Sequence, residues 1–308
     1  MTPFIEVSHL SKHYKNLKAV NDLSFTVPAG EVYGFLGQNG AGKSTTIRML
    51  LTLIQPTGGG IKLFGKDLAA NRKAILSQVG AIIEKPDLYK YLTAYQNLQL
   101  LAKLSGLKPA EAMLMRQLEV VGIAGRAHSK VKTFSQGMKQ RLGIACALIH
   151  NPQLVILDEP TNGLDPQGIT DVRNLILHLS RNEGKTVLIS SHLLSEIQLI
   201  ADSMLIIDKG RKIVEGKVDS LMNPADTLVE VVTTDDAAAR QQLQETAWAT
   251  HLQKGQGLLL KMHKAEVPQL VQSLVASNIA VLSVHPRHSL EDYFLSLTQR
   301  THADAAAH

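Results

Sequence analysis

Four short stretches of the sequence carry residue types that could act on a phosphate group. GQNGAGKST, Gly37 to Thr45, lies between a strand-like run, EVYGFLG, and a helix-like run, TIRMLLTLI. The pattern G-x-x-x-x-G-K-S in a strand–loop–helix context predicts a loop that cradles phosphates. Glycines at 37, 40 and 42 let the backbone N–H groups turn inward, and the helix start adds partial positive charge. Lys43 supplies a point charge and the Ser44 hydroxyl a Mg²⁺ ligand. Gly37, Asn39, Gly40, Ala41, Gly42, Lys43, Ser44 and Thr45 are the expected contacts of a nucleoside triphosphate. LVILDEP reads as a buried strand ending in two carboxylates, which is costly without a cation or polar partners. Asp158 is expected to hold Mg²⁺, and Glu159 to polarise the attacking water as a general base. His192 ends TVLISSH at the sheet edge where ligands bind, and a neutral imidazole there would bridge the γ-phosphate and the base. Catalysis is thus expected from Glu159, His192 and Lys43. TFSQGMKQR, residues 133–141, places Ser135 to cap a helix whose open N-terminus is an anion site.

These groups need a scaffold that brings distant segments together. The first 65 residues alternate as strands (FIEVSHL, LSFTVP, EVYGFLG, IKLFG) separated by turn signals. From about residue 87 to 150 the pattern is helical, with helices over Ala94–Leu104, Pro109–Val121 and Gln136–Ile149, the last stopped at Asn151-Pro152. LVILDEP, TVLISSH and SMLIIDKG then alternate with helices around Thr170–Arg181 and Leu193–Ala201. Strands alternating with helices predict an α/β core with a mainly parallel sheet. After residue 218 the segments shorten. TLVEVVT, GLLLKMH and AVLSVHP read as strands, AAARQQLQETA, AEVPQLVQSLVAS and SLEDYFLSLT as helices, which suggests a βαββαβ-like α+β accessory domain over 219–300 and a frayed tail over 301–308.

The bulk numbers fit this plan. The 308 residues are 44% hydrophobic and 19% charged, which argues against disorder. No apolar run approaches the ~18–20 residues needed to cross a bilayer, and the first residues have no secretory core, so a cytosolic chain acting on any membrane through a partner is expected. The single cysteine, Cys146, allows no internal disulfide and suits a reducing compartment. Residues 1–218 carry a net charge of +9 and residues 219–308 one of −4. No dense basic run supports a nucleic-acid groove.

Taken in order, GQNGAGKST, FSQGMKQR, LVILDEP, GLDP and SSH resemble the nucleotide-binding subunit of an ATP-binding cassette (ABC) transporter over about residues 1–215. The resemblance implies a P-loop NTPase core with an antiparallel β subdomain and a helical signature subdomain. It also implies an ATPase that uses ATP and Mg²⁺. Two subunits, alike or different, would dimerise head to tail, with Ser135, Gln136 and Gly137 meeting ATP held by the other chain. Tyr14 stands where the family's adenine-stacking aromatic does, and Asp165 in GLDP matches its inter-subunit aspartate. Residues 84–95 match the region that receives the membrane permease, which would place the chain at the inner face of the cell membrane. Two departures narrow the branch. The signature reads FSQGM where LSGGQ is usual, and Glu84 replaces a glutamine that contacts Mg²⁺, which makes Glu84 an implied Mg²⁺ ligand beside Ser44 and Asp158 and brings a third negative charge near Asp158 and Glu159. Both are similar to cassettes serving bacitracin resistance and lantibiotic immunity, and SLEDYF at 289–294 resembles a closing pattern shared by resistance-type and general export cassettes. An exporter of peptide antibiotics, drugs or similar amphiphiles is the implied function. The alternative is a soluble ABC-type ATPase acting on DNA or ribosomes. It fits less well, because Lys43 and Asp158 are separated by 115 residues without a heptad run, and there is one cassette and one cysteine.

Overall fold

The computed structural model describes residues 3–221, 227–253 and 257–287. It divides into two compact units, Met1–Lys217 and Val218–His308.

The strands of the first unit are β1 (Ile5–Tyr14), β2 (Leu17–Val27), β3 (Val32–Leu36), β4 (Gly58–Leu63), β5 (Lys66–Asp67), β6 (Val79–Ile82), β7 (Leu154–Asp158), β8 (Thr186–Ser191), β9 (Ser203–Asp208) and β10 (Arg211–Lys217). They form two sheets. One is antiparallel with order β2-β1-β4-β5, and the other has order β10-β9-β3-β8-β7-β6. In the second sheet every neighbouring pair is parallel except β9 and β10. Its central strands are buried along their whole length, VYGFL, LVILD and TVLISS. That is why they read as unbroken apolar runs, since a parallel sheet is covered on both faces. The expected α/β core, antiparallel subdomain and helical insertion are all present. β10 was not foreseen, because its residues are only half-buried.

Seven helices accompany these strands among the described residues: α1 (Lys43–Leu50), α2 (Arg72–Leu76), α3 (Ala94–Leu104), α4 (Glu111–Val120), α5 (Gln136–Leu148), α6 (Pro166–Arg181) and α7 (Leu194–Gln198). A capping box between Thr93 and Gln96 starts α3. Helix α1 departs from the run TIRMLLTLI at both ends. Gly42, at φ 106, opens it three residues early, and Thr52, at φ 57, turns the chain away after Leu51. A side chain at Gly42 would stand 2.5 Å from the Ala19 carbonyl, so only glycine fits this left-handed position. Helix α6 begins at Pro166 rather than near Thr170, because Asp165 caps it and proline is tolerated in the first turn. Helix α5 lies close against the sheet: a Cβ on Gly143 would strike Pro86, and one on Gly80 would strike the Ala147 carbonyl.

The second unit holds α8 (Val218–Leu221), β11 (Thr227–Thr233), α9 (Asp236–Gln244), β12 (Leu258–Met262), α10 (Val267–Ala276) and β13 (Val281–Arg287). Its sheet runs β12-β11-β13, all antiparallel. Val229, Val231, Leu258, Leu260 and Met262 pack against Ala239, Leu243, Leu270 and Leu274. The segments read as strands and helices fall on β11, α9, β12, α10 and β13, so their order among the described residues is βαβαβ, without the two consecutive strands of a βαββαβ plan. A 3-10 turn capped by Thr246 occupies Ala247–His251 between α9 and β12, followed by a single bridge, Leu252 to Leu260. The expected closing helix, SLEDYF and the tail lie outside the described residues. No helix among the described residues is long and apolar enough to cross a membrane.

Candidate active site

The site forms where β3, β7 and β8 end on one edge of the parallel sheet. Register decides which side chains meet there. Asp158, the last residue of β7, is the parallel partner of Ser190, and Leu36 at the end of β3 is the partner of Ser191. The Gly37 N–H donates to the Ser191 carbonyl at 3.4 Å, which ties the start of the loop to β8. Gln38, Asn39 and Gly40 are exposed, whereas Ala41 and Gly42 are buried and Ser44 and Thr45 half-buried in the first turn of α1. Lys43 is 5% exposed. Its ammonium donates to the Gly37 carbonyl at 2.6 Å and the Gln38 carbonyl at 3.3 Å, and forms an ion pair with Glu159 at 3.2 Å.

The two carboxylates of LVILDEP are in different situations. Asp158 is fully buried. Its Oδ1 accepts a 2.5 Å bond from the Ser190 hydroxyl, and its Oδ2 has no partner. Glu159 leaves the strand in a left-handed conformation, φ 50. Its N–H donates to the Ser190 oxygen at 2.9 Å. Its carboxylate is held between Lys43 and His192, whose Nδ1 donates to Oε2 at 2.8 Å. A neutral imidazole has one N–H. With Nδ1–H given to Glu159, Nε2 has no proton to offer a phosphate. In that tautomer Nε2 is an acceptor, open to a proton from water or from a phosphate hydroxyl.

Ser135 caps α5 as foreseen, accepting the Met138 N–H at 3.2 Å, which leaves its own O–H proton free to donate. Ser135 is exposed, Gln136 half-buried and Gly137 buried. Tyr14 is 45% exposed at the end of β1, with the Lys12 ammonium 5.0 Å from its ring centroid on one side. Asp165 caps α6 through a 3.1 Å bond from the Gly168 N–H. Glu84 lies two residues after β6, exposed and in a left-handed conformation, φ 60, and its carboxylate accepts from Arg48 on α1 at 2.7 Å. Among the described residues no three acidic, histidine or cysteine side chains group to hold a metal ion.

Sequence reasoning did not assign Ser190, Arg48, Thr161 or Glu196. A polar residue inside the buried run TVLISS is a signal that could have marked Ser190, since burying a hydroxyl requires a partner. Beyond Glu84, a groove of about 490 Å³ opens between the sheet and the helical insertion, lined by Leu53, Ile83, Pro86, Leu88, Leu101 and Gly143 among others.

The family model described as ABC transporter matches residues 20–162, and one described as AAA domain, putative AbiEii toxin, Type IV TA system matches residues 129–197. The bacitracin transport ATP-binding protein BcrA of Bacillus licheniformis is 41% identical over 96% of this chain and 98% of its own length. An uncharacterised ABC transporter ATP-binding protein of Bacillus subtilis, YhcH, is 40% identical over 98% of both. The lantibiotic transport ATP-binding protein SrtF of Streptococcus pyogenes is 41% identical over 71% of this chain and 93% of its own length. A solved structure described as the ATP binding subunit of an ABC transporter is 35% identical, with a TM-score of 0.62 over 71% of this chain and 91% of that one.

Proposed function

The chain belongs to the ATP-binding subunits of ABC transporters, and we propose that it powers export of an amphiphilic antibiotic or a similar molecule through separate membrane subunits. It is a nucleotide-binding ATPase by family. The observation that carries the mechanistic reading is Glu159, fixed between Lys43 and His192 at the lip of the phosphate loop. Glu159 takes the proton of the attacking water, His192 orients Glu159, and Lys43 with the loop N–H groups holds the phosphates. Asp158 and Ser44 fit a bound Mg²⁺: a fully buried carboxylate oxygen without a partner is costly unless a cation meets it. When bound, Mg²⁺ neutralises phosphate charge. Adenine would stack on the face of Tyr14 away from Lys12.

Subunits of this kind generally work as dimers with membrane permeases. Here the capped end of α5, with the Ser135 proton free, suits a phosphate held by a second copy or a close relative. The apolar groove beyond Glu84 suits a permease segment inserted at residues 84–95, with the chain held at the inner face of the membrane. No element among the described residues suggests DNA or ribosome work, and the longest helix, α6, has 16 residues.

Branch and cargo rest on the relatives. Those transporting bacitracin match over both units, whereas the lantibiotic protein matches 219 residues. This favours the bacitracin-type branch. A relative described as a Nod factor export protein, from Burkholderia lata, also spans both units at 34% identity. An amphiphile is the cargo class that accommodates both.

The test is Glu159→Gln in the purified chain. ATP binding is expected to persist, phosphate release to stop and a dimer to accumulate. Unchanged turnover would remove Glu159 as the base.

A further inference from the structure

Two side-chain bonds, not one, join the turn after β7 to the turn after β8. The first is His192 to Glu159. The second is the Thr161 hydroxyl, which donates to Glu196 Oε2 at 2.5 Å. Thr161 is 8% exposed and Glu196 is half-buried. The two bonds are spaced by two residues on one segment and four on the other, so they form adjacent rungs between 159–161 and 192–196.

The two segments differ in how firmly they are held. Helix α7 is anchored: Leu194 is 2% and Ile197 0% exposed, and Ile197 lies so close to Gly34 on β3 that a Cβ there would strike it. On the other segment Pro160 and Thr161 are buried, but residues 162–165 are exposed or half-buried. They turn through two local backbone bonds, Asn162 N–H to the Glu159 carbonyl and Leu164 N–H to the Thr161 carbonyl, each 3.2 Å. Glu159 and Gly163 both have positive φ, 50 and 74. A residue other than glycine or asparagine in left-handed backbone is strained and persists only where its surroundings hold it. One N–H bond to Ser190 holds Glu159 from the β7 side. On the far side, the side-chain tether within reach is Thr161 to Glu196.

We propose that Glu196 is a positioning residue for ATP hydrolysis: acting through Thr161, it holds the turn that follows Glu159 and so fixes the Glu159 carboxylate against His192. This rests on Glu159 being the base. Losing the tether leaves the phosphate loop intact, so binding is preserved. The base drifts relative to the attacking water, and misplaced catalytic groups lower kcat. Hydrogen bonds to charged groups contribute enough that their loss corresponds to about tenfold in rate or more.

The experiment uses the purified full-length chain with Mg²⁺ and ATP, measuring kcat, KM and thermal midpoint for five variants. Glu196→Ala and Thr161→Val are each expected to lower kcat about tenfold with KM unchanged within twofold. Thr161→Ser and Glu196→Gln, which keep a donor and an acceptor, should recover most of the rate. The double variant Thr161→Val/Glu196→Ala should be no slower than the slower single, because both remove one bond. The proposal is overturned if either single variant turns over at the wild-type rate, if the two losses multiply, or if the Ser and Gln variants are as slow as Val and Ala. A fall in thermal midpoint with loss of ATP binding, unrescued by the conservative variants, also overturns it. Glu159→Gln separates the two levels of the argument. If it retains turnover, the base assignment fails. If it is inactive while Glu196→Ala is fast, only the positioning role fails.

Discussion

Replacing Ser190 by alanine tests the geometry of the carboxylate pair. Ser190 is fully buried on β8, and its oxygen serves both acidic residues, donating to Asp158 Oδ1 at 2.5 Å and accepting the Glu159 N–H at 2.9 Å. A methyl group can do neither. The bond to the buried carboxylate is charge-assisted, and losing it costs about 1.5–3 kcal/mol. The orphaned backbone N–H adds about 1–3 kcal/mol. Water or a proton reaching Asp158 would recover part of this, so the lower half of the sum, ~3 kcal/mol, is the working figure. For a unit of this size about 2–4 °C of Tm accompanies each kcal/mol, which gives a fall of about 6–12 °C. Ser180→Ala is the internal control, since Ser180 donates one neutral bond to the Gly30 carbonyl at 3.0 Å and its loss costs about 1 kcal/mol. Scanning fluorimetry of both variants, with and without Mg²⁺ and ATP, makes the measurement. The Ser190→Ala deficit should shrink when Mg²⁺ and nucleotide are present, because a cation supplies the partner that Asp158 has lost. A Tm within about 2 °C of wild type, or a deficit no larger than that of Ser180→Ala, would refute the reasoning.

Two further predictions concern helix α5 and its end. Burial pushes the Cys146 thiol up to about 12, so native protein should resist iodoacetamide at pH 8 and take up one adduct by mass only after denaturation. Burial, reinforced by the charge of Lys185 and opposed by the bond to the Val79 carbonyl, lowers the pKa of His150. The folded chain then binds fewer protons here than the unfolded one. This contribution to stability is present above the ordinary histidine value near 6.5 and is lost as pH falls through the depressed one. His150→Gln keeps a donor for Val79, so its Tm relative to wild type should rise between pH 7.5 and pH 5.5. An unchanged difference across that range would reject the assignment.

What could be read from the sequence, and what could not, follows from the range of the interactions involved. GQNGAGKST is a local device, and its strand, turn glycines and helix start lie within about a dozen residues. LVILDEP announced a buried strand with an acidic end for the same reason. Ser190, Thr161 and Glu196 carry no local signal. Ser190 meets Asp158 because β7 and β8 pair in parallel with those two residues in register, and register between strands 32 residues apart is set by the packed sheet. Arg48 was invisible for a similar reason. It matters only because Glu84, two residues after β6, turns left-handed and meets α1 across 36 residues of chain. In the second unit the periodicity marked strands and helices well, but it gave no sign of the 3-10 turn at Ala247–His251 or of the single bridge that follows it.

Two neighbouring carboxylates end the same strand in opposite conditions, and the difference explains why the motif needs both. Asp158 has a buried oxygen with no protein partner, which leaves it short of positive charge. Glu159 has the reverse. It is already met by a lysine and a histidine, and its left-handed backbone turns it out of the strand's alternation, away from the pocket that buries its neighbour. The lysine is equally committed. An ammonium has three N–H donors, and Lys43 faces three acceptors: the Gly37 carbonyl, the Gln38 carbonyl and Glu159. A phosphate oxygen can engage Lys43 fully only by displacing one of them. Gly37 and Gln38 are backbone acceptors fixed by the loop, whereas Glu159 can be let go, since His192 still holds its other oxygen. On the proposed reading of Glu159 as the base, a phosphate that takes its place at Lys43 would release it, so phosphate binding and freeing of the base would be one exchange.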